Sequence, residues 1–257
     1  MRTQCKRSLT RGALFIRGTA LGILVFAASL ATTAGVEFSK AEIAGKPLTV
    51  CKVNVRKERL RLFLRDEQGK PLNRFDRVAA LVKSRGETLT FAMNAGMFHA
   101  GFSPVGLFIA DGKQLAPLNT DAGEGNFFLK PNGVFVLTES GAQVVETSEY
   151  GKIRERVLLA TQSGPMLVHR GAIHPAFRPN SESNMYRNGV CAPTRDVAIF
   201  VNSEAALNFH QFATFFRDSL KCSEALFLDG TINSLYSTEL KRSDFRMDLG
   251  PMIGVVE

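Results

Sequence analysis

The chain has 257 residues, of which 32 are basic and 24 acidic. Residues 1–34 hold five of the basic side chains and no acidic one, so 27 basic and 24 acidic side chains remain in residues 35–257, a net charge of +3. Such a mild charge gives no support for a nucleic-acid partner. About 220 residues are enough for one domain with a sizeable core.

Residues 1–34 have the order of a secretory signal peptide. Basic residues come first, an apolar centre runs from Ala20 to Leu30, and the small residues before Gly35 suit cleavage after Ala34. The apolar centre is shorter than the ~20 residues that a membrane helix needs. We predict a periplasmic or secreted protein of residues 35–257, with no stable membrane span after cleavage. An uncleaved N-terminal anchor is the alternative.

The apolar pattern of residues 35–257 predicts many short strands and two helices. The helices cover residues 73–85, with Asn73 as N-cap and Gly86 as stop, and residues 208–220, with Asn208 as N-cap. Because short turns join most strands, we predict an α+β fold: mainly antiparallel sheet with two or three packed helices in a single domain. The predicted strands are residues 48–55, 59–65, 88–93, 105–110, 126–129, 133–138, 142–146, 157–160, 165–169, 187–192, 196–202, 225–228 and 250–256.

The strand over residues 225–228 ends at Asp229-Gly230. A carboxylate at the end of a buried strand is fixed by the backbone and partly shielded from water, which suits catalysis or ligand binding. Gly230 permits a sharp turn or a close approach of a ligand to the backbone. An ordinary strand-ending turn is the alternative.

Three other small-polar segments are candidates for the same site. Asn94 follows a predicted strand and offers an amide, and Gly96 exposes backbone N–H. Gln162 and Ser163 precede Gly164-Pro165. Ser163 does not fit the nucleophile elbow, so a binding role is favoured for both residues. Arg187 offers a bidentate fork for phosphate or carboxylate. Taken singly, each segment also fits a structural turn or a surface side chain.

Three cysteines follow the signal segment: Cys51, Cys191 and Cys222. An oxidising compartment makes at least one disulfide plausible, and we favour Cys191 with Cys222 because both lie close to the candidate site. Cys51 lies in an apolar strand and is predicted to be a buried thiol. No cysteine or histidine spacing suggests a zinc site, and no metal or cofactor is predicted.

Six motifs follow one another in a fixed order: NAGMF, PVGLF, GNFFLKPNGVF, QSGPML, RNGV and LDGTINSLY. This order resembles the phosphodiester glycosidase domain family, which includes the lysosomal enzyme that uncovers mannose 6-phosphate by removing N-acetylglucosamine from a phosphodiester. The resemblance covers roughly residues 48–256 and is strongest to a bacterial, exported branch. It implies an exported hydrolase that cleaves the glycosidic bond of a sugar-1-phosphodiester.

The chain departs from the family pattern in two places. Thr231 and Asn233 stand where many members have Gly and Ser after Asp-Gly, so Ser234 or Asn233 is expected to donate the missing bond. Cys191 stands where the bacterial branch has Gly, and its presence together with Cys222 supports their pairing.

The resemblance also implies roles for residues of the site. Asp229 is the expected base or nucleophile, Arg187 binds the departing phosphate, and Asn94 completes the catalytic set. Asp196 and Glu124 are weak candidates for a second carboxylate. The alternatives are a non-catalytic periplasmic binder of cell-envelope glycans or glycolipids and a metal-assisted phosphodiesterase. The predicted substrate-binding residues are Gly96, Gln162, Ser163, Gly164, Gly230, Asn233 and Ser234.

Overall fold

The structure is a computed structural model and describes Met1 and residues 35–257. By its contacts the chain divides into two units, Met1–Thr33 and Ala34–Glu257. The predicted signal segment lies almost wholly outside the described residues. Among the described residues, none of the helices has the length and apolar character that a membrane crossing requires.

Strands account for most of the regular structure between residues 35 and 257. They pair antiparallel throughout. In chain order they are β1 (Glu37–Ile43), β2 (Lys46–Asn54), β3 (Arg59–Phe63), β4 (Leu89–Asn94), β5 (Phe108–Ala110), β6 (Lys113–Ala116), β7 (Gly133–Thr138), β8 (Gly141–Glu146), β9 (Val157–Ser163), β10 (Met166–His169), β11 (Ala172–Ile173), β12 (Asn188–Thr194), β13 (Val197–Ser203), β14 (Ala225–Phe227), β15 (Leu235–Ser237), β16 (Arg242–Ser243) and β17 (Met252–Val256).

In the described part of the chain these strands form three sheets. Their orders are β1-β2-β13-β12-β14-β10-β11, β16-β15-β4-β17-β3 and β6-β5-β9-β7-β8. One face of each sheet contributes to a shared core that contains Phe91, Phe135 and Leu226. Because side chains alternate along a strand, Phe227 points to the other face of its sheet, where it joins a second cluster with the helix after β13. Burial on both faces explains the continuous apolar run of β14.

Two helices pack outside the sheets, α1 (Phe75–Ser84) and α2 (Phe209–Thr214), and α2 continues as a π-helical turn over Phe215–Ser219. The prediction of Asn208 as N-cap is confirmed: its side chain accepts from Gln211 N at 2.9 Å, and Gln211 accepts from Asn208 N at 3.1 Å. Mainly antiparallel sheet with packed helices is confirmed, and the fold is richer in sheet than the sequence indicated.

Three details of the predicted elements are wrong. Arg74, and not Asn73, is the N-cap of α1, because Asn73 adopts φ 59°. Residues 126–129 are not a strand, since Asn126–Phe128 forms a 3-10 helix. The side chain of Asn132 donates to Phe127 O at 2.9 Å, which satisfies that carbonyl without a partner strand. The strand predicted over residues 105–110 contains only Phe108–Ala110.

The predicted Cys191–Cys222 disulfide is present, with a Cα–Cα distance of 6.3 Å. It ties β12 to the segment that follows the π-helical turn. Cys51 is a free, buried cysteine on β2, as predicted. Burial raises the pKa of its thiol far above the ordinary value, so it remains protonated.

Candidate active site

Asp229 lies just beyond β14, and asparagine side chains hold both of its main-chain polar groups. Asp229 N donates to Asn188 Oδ1 at 2.8 Å, and Asn94 Nδ2 donates to Asp229 O at 2.6 Å. β14 is an internal strand between β12 and β10. The position of Asp229 is therefore set by the sheet and by two amides.

The two asparagines also bind each other. Asn188 Nδ2 donates to Asn94 Oδ1 at 2.8 Å, and the same oxygen accepts from Ser234 N at 3.0 Å. Both side chains are fully buried. Asn94 is the last residue of β4 and Asn188 the first of β12, strands that belong to different sheets. A buried, fully paired amide network specifies one arrangement of the groups that it joins.

The carboxylate of Asp229 is much less constrained than its backbone. Among the described residues its only hydrogen bond comes from Thr231 N to Oδ1, at 3.3 Å, and no cationic side chain lies within 4.0 Å. Burial raises the pKa of Asp229 from 3.8 to about 6, and the bond from Thr231 offsets a part of this shift. Such a carboxyl group exchanges its proton near neutral pH, which suits a base or a nucleophile.

Gly230 packs against the segment that carries the predicted arginine. A Cβ atom at this position would lie 2.7 Å from Arg187 Cα and 2.9 Å from the carbonyl carbon of Tyr186. Real Cβ atoms do not approach other atoms this closely. Only glycine therefore fits at position 230 without a shift of the Asp-Gly turn or of the segment 186–187. The contact places Tyr186 and Arg187 directly beside the Asp-Gly turn.

Arg187 is buried, with 2% of its surface exposed. Nε donates to Leu207 O at 2.8 Å, Nη2 donates to Ser183 O at 3.0 Å, and Cζ lies 3.5 Å from the centre of the Phe209 ring. Burial lowers the pKa of Arg187 to about 10, which still leaves it charged at neutral pH. No carboxylate among the described residues lies within 4.0 Å of it. The site therefore has a buried positive charge with no described acid within ion-pair distance.

Gln162 and Ser163 contact the main chain around the site. Ser163 Oγ donates to Leu228 O at 2.6 Å, directly before Asp229. Gln162 Oε1 accepts from Leu107 N and Asn119 N, each at 2.9 Å. Both side chains are 2% exposed or less, so their described contacts are internal.

The remaining predicted binding residues pack tightly or hydrogen-bond within the protein. A Cβ atom on Gly96 would lie 2.5 Å from Gln162 O, and one on Gly164 would lie 2.6 Å from Asn132 Cβ. Asn233 Nδ2 donates to Ser203 O at 2.8 Å, while its buried Oδ1 has no partner among the described residues. Ser234 Oγ donates to Ile232 O at 2.8 Å. Direct contact of these residues with substrate stays a prediction.

The sequence profile of the phosphodiester glycosidase family matches residues 87–253. The chain belongs to the phosphodiester glycosidase family. It is also 35% identical, over 184 residues, to the uncharacterized protein YigE of Escherichia coli, with 72% of each chain covered.

Two of the solved structures that share the fold of this chain match most of its length. One is the catalytic domain of the zebrafish N-acetylglucosamine-1-phosphodiester α-N-acetylglucosaminidase, auto-inhibited by its pro-peptide, with a TM-score of 0.59 and 14% identity. The match covers 86% of this chain and 82% of that one. The other is a hypothetical protein from Synechocystis, with a TM-score of 0.51 and 14% identity, covering 86% of this chain and 61% of that one.

Sequence reasoning about this member of the family missed Asn188, which binds both Asn94 and Asp229. The available signal was an amide at the start of the apolar segment 189–192. The structure does not bring Asp196 to the site: it lies in the β12–β13 turn, where its Oδ1 accepts from Arg56 Nε at 2.6 Å. β12 begins at Asn188 and rises about 3.4 Å per residue, so this turn lies roughly 20 Å from that end of the strand. Glu124 is exposed.

A cavity of about 690 Å³ lies along β3, where its lining includes Arg61, Arg65 and Lys113. Asn94, Asn188 and Asp229 do not line it. The candidate site therefore rests on the hydrogen bonds around Asp229 and not on the volume of this cavity.

Proposed function

We propose that this protein hydrolyses the glycosidic bond of a sugar-1-phosphodiester, with Asp229 as base or nucleophile. The observation that carries the proposal is the contrast within Asp229: asparagines hold its backbone, while its carboxylate has one weak hydrogen bond and a pKa of about 6. Membership in the phosphodiester glycosidase family supports the substrate class.

The reaction breaks the bond between C1 of the sugar and the phosphate oxygen. Positive charge develops on the sugar, and the leaving group departs as a phosphate monoester. Most glycosidases use a second carboxylic acid to protonate the leaving oxygen. A phosphate monoester is already a stable anion, with a second pKa of about 6, so it needs charge stabilisation more than a proton. Water completes the reaction by adding to C1, either directly with Asp229 as base or after attack by Asp229.

Arg187 supplies positive charge for the departing phosphate in this proposal. Its guanidinium carries no neutralising acid within 4.0 Å among the described residues, and the Gly230 contact places its backbone beside the Asp-Gly turn. Preorganised charge in a dry environment is the form of electrostatic stabilisation that enzymes use most. Asn94 and Ser163 act mainly by holding Asp229 and the residue before it, whereas Gln162 holds the neighbouring loops at Leu107 and Asn119.

We further propose that the protein acts in the periplasm or outside the cell. The charge and apolar order of residues 1–34 supports export, and the Cys191–Cys222 disulfide is typical of an oxidising compartment. N-terminal sequencing of the protein from the cell envelope should give a start at Gly35. A start at Met1 on cytoplasmic protein would contradict export.

The test of the catalytic role is Asp229→Asn, which is nearly isosteric and removes the charge. Turnover of UDP-N-acetylglucosamine or of an N-acetylglucosamine-1-phosphodiester should fall by at least about 100-fold, while calorimetric binding of the same compound is retained. Asp121→Asn is the matched control, because Asp121 is exposed. Undiminished turnover in Asp229→Asn refutes the assignment. No turnover by wild type across a broad panel of glycosyl phosphodiesters favours the glycan-binding alternative.

A further inference from the structure

Arg187 is buried and therefore cannot bind a part of the substrate that extends into solvent. Two of the nitrogens of Arg187 donate to main-chain carbonyls, and its guanidinium lies on the Phe209 ring. A phosphodiester in solution carries an exposed anionic group that extends away from the sugar. A second, exposed cation beside the Asp-Gly turn would be suited to bind it.

Tyr186 lies at the edge of the site. Its main chain contacts Gly230 so closely that a Cβ atom on Gly230 would be 2.9 Å from its carbonyl carbon. Tyr186 has 36% of its surface exposed, whereas the next residue, Arg187, has 2% exposed. The chain therefore passes from solvent into the interior at this point, directly beside Asp229.

Arg246 lies on the ring of Tyr186, with Cζ 4.2 Å from the ring centre. The segment that carries Arg246 is held by Asp244, two residues earlier. Asp244 N donates to Leu235 O at 3.0 Å, and Leu235 N donates to Asp244 Oδ2 at 3.0 Å. Leu235 follows Ser234, which itself binds Asn94. Arg246 thus contacts the Tyr186 ring directly, and the segment that carries it is linked to the site through Asp244 and Leu235.

Among residues 35–257, no carboxylate lies within 4.0 Å of Arg246. The neighbouring arginines differ in this respect. Arg74 lies on the Phe245 ring at 4.4 Å but also donates two hydrogen bonds, each of 3.0 Å, to Asp76. Arg242 is neutralised by ion pairs with Glu204 and Asp244. Of these three arginines, only Arg246 keeps a charge that no described acid offsets.

We propose that Arg246, oriented by stacking on Tyr186, binds the phosphate oxygens of the substrate and selects phosphodiesters over neutral glycosides. The inference rests on the proposed function and names the group that recognises its leaving phosphate. Stacking on an aromatic ring occupies the flat face of a guanidinium. The N–H groups at its edge remain free for the bidentate contact that arginine makes with phosphate.

The experiment compares Arg246→Gln with Arg74→Gln in the purified protein. Both changes remove one arginine that stacks on an aromatic ring, but only Arg74 is already paired with an acid. Arg246→Gln should raise KM for UDP-N-acetylglucosamine by roughly tenfold, which corresponds to about 1.4 kcal/mol. It should leave KM for a nitrophenyl N-acetylglucosaminide unchanged. Arg74→Gln should resemble wild type on both compounds.

Tyr186 gives a second test of the stack. Tyr186→Phe keeps the ring and should preserve KM, whereas Tyr186→Ser removes it and should raise KM for the phosphodiester alone. If wild type hydrolyses the phosphodiester and Arg246→Gln does so with an unchanged KM, the inference is overturned while the proposed function stands. If wild type has no turnover, calorimetric binding of UDP-N-acetylglucosamine decides: weaker binding by Arg246→Gln supports the phosphate contact, and equal or absent binding overturns it.

Discussion

Asn188 Nδ2 donates to Asn94 Oδ1 at 2.8 Å, and the two amides then hold the nitrogen and the oxygen of Asp229. This relationship joins β4 and β12 at the point where β14 ends. It holds the main chain of Asp229, so that the Asp-Gly turn presents its carboxylate in one position.

Asn94→Asp tests this network. An ionised Asp cannot donate to Asp229 O, and keeping it protonated at a position with no exposed surface costs free energy at neutral pH. We expect a loss of roughly 2–4 kcal/mol in the free energy of unfolding and at least a 100-fold loss of turnover. Asn180→Asp is the control, since Asn180 is exposed. Denaturant melts and kinetics should be measured together. Wild-type values for both would remove Asn94 from the site.

The pH dependence of turnover identifies the working form of Asp229. Because its pKa is about 6, a base or nucleophile should lose activity as the pH falls through about 6. The measurement is kcat/KM for a glycosyl phosphodiester between about pH 4 and pH 8, with wild type and the residual activity of Asp229→Asn. The acidic limb should be absent in the variant. Activity that instead falls as the pH rises through about 6 would mean that Asp229 acts as an acid.

Asp229 should also destabilise the fold at neutral pH. Its pKa is about 6 in the folded state against an ordinary 3.8, so the folded protein binds this proton more tightly than the unfolded chain does. Stability is therefore lost as the pH rises from about 4 to about 6, and the loss reaches roughly 2–3 kcal/mol above that range. Asp229→Asn should be more stable than wild type at about pH 8, and the difference should shrink at about pH 4. Thermal unfolding at both values measures this, and an equal difference at both would contradict it.

Arg187→Lys separates electrostatic from structural roles of Arg187. A lysine cannot reproduce the bonds to Leu207 O and Ser183 O together with the contact on Phe209, so we expect a loss of roughly 2 kcal/mol in stability. If Arg187 also stabilises the leaving phosphate, turnover should fall more for phosphodiesters than for glycosides with activated neutral leaving groups. An equal loss on both would leave Arg187 with a structural role only.

The disulfide should contribute substantially to stability. Cys191 and Cys222 are separated by 31 positions, for which the chain-entropy model gives about 3–4 kcal/mol. The double variant Cys191→Ser, Cys222→Ser should melt roughly 10 °C lower than wild type. Cys51→Ser is the control for loss of a thiol without loss of a crosslink. The same melting temperature for wild type and the double variant would show that the crosslink adds nothing.

Local features of this fold could be predicted from the sequence. The apolar run before Asp229, the cap at Asn208 and the stop at Gly86 depend on neighbouring residues, and the structure has each of them. β1 was not predicted, because most of its residues are exposed and its apolar pattern is weak.

The arrangement of the site depends on sheet topology, which local patterns do not contain. Asn188 and Asn94 are 94 positions apart, and they meet because the end of β4 lies beside the start of β12. Stacking of Arg246 on Tyr186 likewise joins two loops that are distant in sequence. The sequence therefore identified the segments of the site better than the contacts between them.

The amide network bridges two sheets, because β4 and β15 belong to one and β12 and β14 to the other. The proposed catalytic geometry thus depends on the alignment of these two sheets where they meet. A small displacement of one sheet relative to the other would move Asp229 while the hydrogen bonds within each sheet stay intact. Enzymatic activity should consequently disappear at denaturant concentrations that still preserve the β-sheet circular dichroism signal. Inactivation would then report displacement of the two sheets before the fold is lost.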